Sequence, residues 1–251
     1  MQRVRRGRIP PSHIVVREAF QELGYDALTP DLIKQDFNQI FHTVWVKTLE
    51  VLERYEESAY ASGIPEELIT LRTKDVKSAK RVLQAKGFTE AIKILFRKWY
   101  PYLRLSFQSV SQSRMTRGGK DFELQFGYLL ELMKIPYQKV QRAYRVDFMI
   151  PSDEAFHQNP TSAAIVSAKR TLRERWREVV EELHTMRSPN IFLITADDNV
   201  TSGHVEEICR KYRIYLVVWD DIKADKFSAE PLVLGYTQWA NDRLPMLQQF
   251  W

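Results

Sequence analysis

The stretch Ala163–Arg177, AAIVSAKRTLRERWR, changes character in its middle. Its first half is a short, uninterrupted apolar run, the pattern of a strand covered on both faces. From Ser167 to Arg177 it carries five cations and one acid in eleven residues, with Trp176 among them. A charge run usually marks a solvated helix face. This one leaves a buried strand that ends on Lys169, so the lysine falls where a strand delivers a side chain to the rim of a sheet.

The neighbouring segments repeat the alternation. YRVDFMIP (144–151) reads as a preceding strand, and a helix is expected from Leu172 to about Met186. Strand NIFLITA (190–196), helix SGHVEEICRKY (202–212) and strand IYLVVW (214–219) follow. The segment KDFELQFGYLLELMKI (120–135) is an amphipathic helix with Phe122, Phe126, Leu129, Leu130 and Met133 on one stripe. Together these elements predict an α/β fold with a largely covered sheet. Residues 1–105 read as mostly helical. LIKQDFNQIFHTVWVKTLEVLERYEESAYASG (32–63) places Ile33, Phe37, Ile40, Phe41, Val44, Leu49 and Leu52 at helical steps. SAKRVLQAKGFTEAIKILFRKWYPYL (78–103) continues the pattern to a stop near Pro101, and the polar, Ser-rich RLSFQSVSQSRMTRGG (104–119) reads as the boundary. The expected domains are therefore a mostly helical region, 1–105, and an α/β core, 106–251.

With 44% apolar and 27% charged residues the 251-residue chain has the composition of a globular protein. Its one cysteine, Cys209, excludes a disulfide framework and suits a reducing cytoplasm. The basic N-terminus lacks the apolar region of a signal peptide, and no run reaches the length of a membrane span. A net charge of +5 makes a polyanionic partner plausible. No Gly-rich phosphate loop follows any strand, and His13, His42, His157, His184 and His204 lack metal-ligand spacing.

Two charges stand where apolar residues are expected. Asp147, inside VDFMI, is costly in a strand unless it faces a cleft or meets a cation. Lys169 ends the next strand. An acid and a lysine on adjacent strands can hold a divalent metal and a phosphate, and a hard cation calls for a second carboxylate. Two residues before the lysine, on the same strand face, stands Ser167, which cannot supply one. On the following helix Leu172, Trp176, Val179, Leu183 and Met186 form the core stripe. At roughly 100° per residue Glu182 falls on its border, with Glu178 farther round and Glu181 nearly opposite. Glu182 is the helix acid best aimed at the sheet.

Asp147 in VDF, Lys169 in SAKRTLRERWR and Glu182 thirteen residues beyond the lysine resemble the active-site pattern of one group of type II restriction endonucleases, the SsoII, PspGI and EcoRII branch. In this branch of the PD-(D/E)xK nucleases the second metal-binding acid has moved from the strand to the following helix. The resemblance implies a central mixed β-sheet flanked by helices, Asp147 and Glu182 as metal ligands, and Lys169 at the scissile phosphate or its attacking water. It implies a further acid in the first core helix, for which SRMTRGGKDFE offers Glu123. The implied cofactor is Mg²⁺, which acidifies water and stabilises charge on the phosphate in the transition state, and the implied product has 5′-phosphate ends.

The Arg-rich run also has a chemical reading. Thr171-Leu-Arg-Glu174 fits a capping box, and a helix that points its N-terminus into the major groove presents Arg173, Glu174 and Arg175 to base edges. Arginine pairs with O6 and N7 of guanine, and a carboxylate accepts from N4 of cytosine. The resembling enzymes read a CC/GG half-site with this segment, within CCGG, CCNGG or CCWGG. Arg170 and Arg177 are candidate phosphate contacts, and by family resemblance Gln112, Arg114 and Arg117 lie in a region that meets DNA. Relatives flip central bases, for which Trp45, Tyr55 and Tyr60 are the aromatic candidates. The expectation is a homodimeric enzyme of a prokaryotic cytoplasm acting on double-stranded DNA, with a cognate methyltransferase in the same system but not bound to it. A non-cleaving DNA-binding protein of the same fold, or a structure-directed repair nuclease, is the alternative.

Overall fold

The computed structural model describes residues 9–140, 146–172 and 176–251. The chain divides into two compact units, residues 1–18 with 47–118 and residues 19–46 with 119–251. The division differs from a cut near residue 105, because residues 19–46 cluster with the α/β part. Their apolar stripe accounts for this: Phe41 stacks on Phe122 at 5.2 Å, and Phe37 contacts Phe126 and Trp239 at 6.4 and 5.9 Å.

In chain order the helices before the sheet are α1 (Ser12–Leu23), α2 (Pro30–Gln35), α3 (Phe37–Glu57), α4 (Ile64–Leu71), α5 (Thr73–Lys86) and α6 (Phe88–Leu132). The described residues of the first unit are helical apart from residues 9–11, Arg72 and Gly87. Residues 104–119, expected as a boundary loop, are instead part of α6, which runs unbroken through Pro101. Proline forfeits one backbone donor, and the polar side chains that looked like loop signals satisfy themselves within the helix. Ser106 donates to the Tyr102 carbonyl at 2.9 Å and Thr116 to that of Gln112 at 3.1 Å. Leu49 is a second correction, since it is 40% exposed whereas Thr48 is buried. A five-residue step from Val44 rotates Leu49 off the stripe that Thr48 completes.

The second unit is built on a six-stranded sheet in sequence order: β1 (Gln138–Lys139), β2 (Phe148–Ile150), β3 (Ala164–Lys169), β4 (Ile191–Thr195), β5 (Tyr215–Val218) and β6 (Val233–Gly235). β1, β2 and β3 pair antiparallel, and β3 to β6 pair parallel. Between them lie α7 (Asp153–Gln158), α8 (Trp176–Thr185), α9 (Ser202–Val205, continued by a π turn to Lys211) and α10 (Asp220–Phe227). α11 (Tyr236–Gln238) and α12 (Leu244–Gln248) follow β6. The expected covering of the sheet is present: every residue of β2, β4 and β6 is buried. Phe122, Phe126, Leu129, Leu130 and Met133 are all buried, and Phe126 meets Phe148 of β2 at 5.2 Å. Burying one such phenylalanine contributes about 1.5–3 kcal/mol.

Candidate active site

The antiparallel register Phe148↔Val166, continued by one step, brings Asp147 beside Ser167. A strand alternates faces, so Lys169 two residues on shares that side of the sheet. Three donors converge on one oxygen, Asp147 Oδ2: the Lys169 ammonium at 2.8 Å, the Ala168 N–H at 2.7 Å and the Ser167 hydroxyl at 3.2 Å. Oδ1 has no hydrogen-bond partner among the described residues. The serine thus steadies the acid from the position where a second acid was sought. Ser167 is fully buried, whereas the Asp147 and Lys169 side chains keep 18% and 27% of their surface. The pair is open to a ligand at its outer edge.

Glu123 joins the same electrostatic site. Burial raises its pKa above the ordinary glutamate value and the Asp147 charge raises it further, while Lys169, Lys139 and Lys120 pull it down. The Asp147 charge thus acts on a second carboxylate, and carboxylate oxygens are the donors that a hard divalent cation takes. The second expected metal ligand, Glu182, is half-buried on α8, and its carbonyl accepts from the Thr185 hydroxyl at 2.6 Å. The hydrogen bonds that join Asp147 to Lys169 do not reach Glu182. Among the described residues no group of three His, Cys, Asp or Glu side chains is disposed to hold a metal ion.

Arg173, Glu174 and Arg175 lie outside the described residues. The described helix residues are Trp176–Thr185, and Leu172, expected as the first residue of the helix, is not helical. Leu172 is buried, and its N–H donates to Asp197 Oδ2 at 2.7 Å, so an acid from the loop after β4 takes the donor. The far side of the segment is held by the same stretch of chain. Trp176, buried as its place on the apolar stripe predicts, meets His204 edge-on at 5.2 Å. Arg177 lies over the Trp176 ring at 5.0 Å and pairs with Glu207 at 3.1 Å, so a surface ion pair occupies this candidate phosphate contact. Arg170 is half-exposed. Asp197 was not legible in the sequence, because its partner is a backbone N–H that carries no sequence signal.

The remaining candidates are arranged as follows. In the first unit Arg114 is engaged by Glu56 at 2.5 Å and Glu53 at 3.4 Å, Arg117 donates to the Pro10 carbonyl at 2.9 Å, and Gln112 is exposed on α6. Trp45 packs against Trp219 and His42 at 6.0 and 5.8 Å in the second unit. In the first, the Tyr55 hydroxyl donates to Glu18 at 2.6 Å and Tyr60 is half-buried.

A mixed sheet with an acid on one strand and a lysine at the end of the next defines the PD-(D/E)xK restriction-endonuclease-like class of fold. Solved structures agree. A metal-depleted Ecl18kI in complex with uncleaved, modified DNA superposes with a TM-score of 0.83 at 21% identity, over 99% of this chain and 83% of that one. A complex of the restriction endonuclease PspGI with substrate DNA gives 0.62 at 23% identity, over 96% and 94%. The type II restriction enzyme SsoII of Shigella sonnei is 33% identical over 131 residues, which is 48% of this chain but only 42% of that enzyme's length. Residues 83–231 match the family model described as EcoRII C terminal, and the chain belongs to this family. Among the described residues no helix is long and apolar enough to cross a membrane.

Proposed function

We propose that the protein is a Mg²⁺-dependent, site-specific endonuclease that cuts both strands of a DNA palindrome built on CC/GG half-sites and leaves 5′-phosphate ends. The carrying observation is the Asp147–Lys169 pair at the end of β3, with Oδ2 of the acid fixed by three donors and Oδ1 left to a ligand. Asp147 and Glu182 would hold the metal, with Glu123 as the further acid. Bound Mg²⁺ supplies Lewis-acid stabilisation of the phosphate charge and lowers the pKa of water. The Lys169 ammonium, positioned by Asp147, places a point charge at the phosphate as negative charge builds there. Arg173 and Arg175 would read guanine and Glu174 cytosine N4, and two copies related by a two-fold axis would address the two strands. The DNA complexes of the structural relatives and the activity named for SsoII support this reading. A cognate methyltransferase in the same cytoplasm would protect the host's own sites without binding this protein.

Incubation of plasmid DNA with and without Mg²⁺ tests the proposal. Discrete fragments that appear only with the metal are expected. Binding without any cleavage would make the protein a non-cutting DNA-binding relative.

A further inference from the structure

The chain leaves the catalytic strand at Lys169 and reaches Arg173 after three residues. One side chain from outside this stretch fixes that passage. Asp197 is 8% exposed, and its two oxygens divide their work: Oδ2 accepts from Leu172 N–H at 2.7 Å and Oδ1 from Asn199 N–H at 2.9 Å. Its own N–H donates to the Thr195 hydroxyl at 3.2 Å, which ties the turn to the end of β4. Thr195 is in turn the parallel partner of Lys169. The same stretch then supplies His204 against Trp176 and Glu207 to Arg177. Residues 197–207 thus hold the chain immediately before and immediately after the Arg173–Arg175 triplet.

We infer that Asp197 is a positioning residue for base recognition: by clamping Leu172 N–H it fixes where the chain departs from Lys169 toward the reading triplet. The inference rests on the assignment of Arg173, Glu174 and Arg175 as base readers. A charged acceptor on a buried N–H is among the stronger protein hydrogen bonds. Only a carboxylate presents acceptor oxygens to both N–H groups at once, because an amide turns its NH₂ toward one of them.

The test measures metal-free binding to short duplexes carrying CCGG, CCAGG or CCCGG, and to a scrambled duplex, with thermal melting to establish that each variant is folded. Asp197→Ala should lose discrimination between the preferred and scrambled duplexes on the order of ten- to a hundredfold, with no fall in affinity for the scrambled one. Asp197→Asn, which keeps the volume and one acceptor, should lose less, and it decides the matter if the alanine variant does not fold. The double variant Asp197→Ala/Arg173→Ala should discriminate no worse than Arg173→Ala alone, since both act through one segment. Full discrimination in a folded Asp197 variant, or additive losses in the double variant, overturns the inference alone. Undiminished discrimination in Arg173→Ala overturns the base-reader assignment and this inference with it.

Discussion

Placing an aspartate at position 167 probes the heart of the site. The Ser167 hydroxyl is 3.2 Å from Asp147 Oδ2, and the residue is fully buried. In Ser167→Asp a second carboxylate would therefore stand about 5 Å from the first. Two like charges at that distance repel by about 3 kcal/mol at an effective dielectric constant of about 20. Loss of the serine hydrogen bond adds about 1 kcal/mol, and attraction to Lys169 returns a comparable amount. For a chain of this size a loss of about 3 kcal/mol lowers Tm by about 6–12 °C. A divalent cation shared by the two carboxylates reverses the effect, and ligand at a hundred times its Kd restores about 2.7 kcal/mol. The assay is thermal melting in EDTA and in a Mg²⁺ series. A variant that melts like the parent in EDTA would show that residue 167 does not face Asp147. A fall in Tm that Mg²⁺ leaves untouched would show that the two acids share no cation.

Other outcomes are expected on the same grounds. Asp147→Ala, Lys169→Ala and Glu182→Ala should each remain folded and lose single-turnover cleavage by several orders of magnitude; near-normal cleavage by Glu182→Ala would pass the role to Glu178. Because the Glu123 pKa is raised in the fold by burial and by Asp147, the folded state holds that proton over a window in which the unfolded chain has released it. Stability should therefore rise as pH falls through the raised value toward the ordinary one, and Glu123→Gln should flatten this part of the stability–pH profile. Cleavage should fall over the same interval as the carboxylate is lost to a cation. Arg187 and Arg213 follow helical turns at φ values of 51° and 57°. Glycine relieves the left-handed strain of roughly 1–2 kcal/mol at the cost of unfolded-state entropy, so each Arg→Gly should stabilise by up to about 1 kcal/mol. A lowered Tm would mean that the arginine side chain holds a contact worth more than the strain.

What could be read from the sequence follows from which signals are local. β3, β4 and β5 were legible because a strand covered on both faces must be apolar at every position, and IVSAK, IFLIT and YLVV nearly are. β1 was not, since its two exposed residues, Gln138 and Lys139, carry no pattern, and Val233–Gly235 is too short to stand out from its turn. Helix α6 departs from the sequence expectation at Pro101 and the Ser-rich run because tertiary context overrides propensity. Asp147 and Lys169 were legible because a charge inside or at the end of an apolar strand requires a partner, and each is the other's. Glu123 could be named only through a resemblance, and the field of Asp147 is what ties it to the site. Asp197 left no trace, because its partner is a backbone group.

A metal-dependent cutting site joined in one chain to a reader of CC/GG half-sites makes a direct demand on the products. Digestion of a plasmid of known sequence with Mg²⁺, followed by sequencing of the fragment ends, addresses it directly. The expected result is 5′-phosphate ends that all map to a single palindrome with CC and GG at its flanks. Ends scattered through the plasmid, or clustered at a motif without CC/GG, would contradict it.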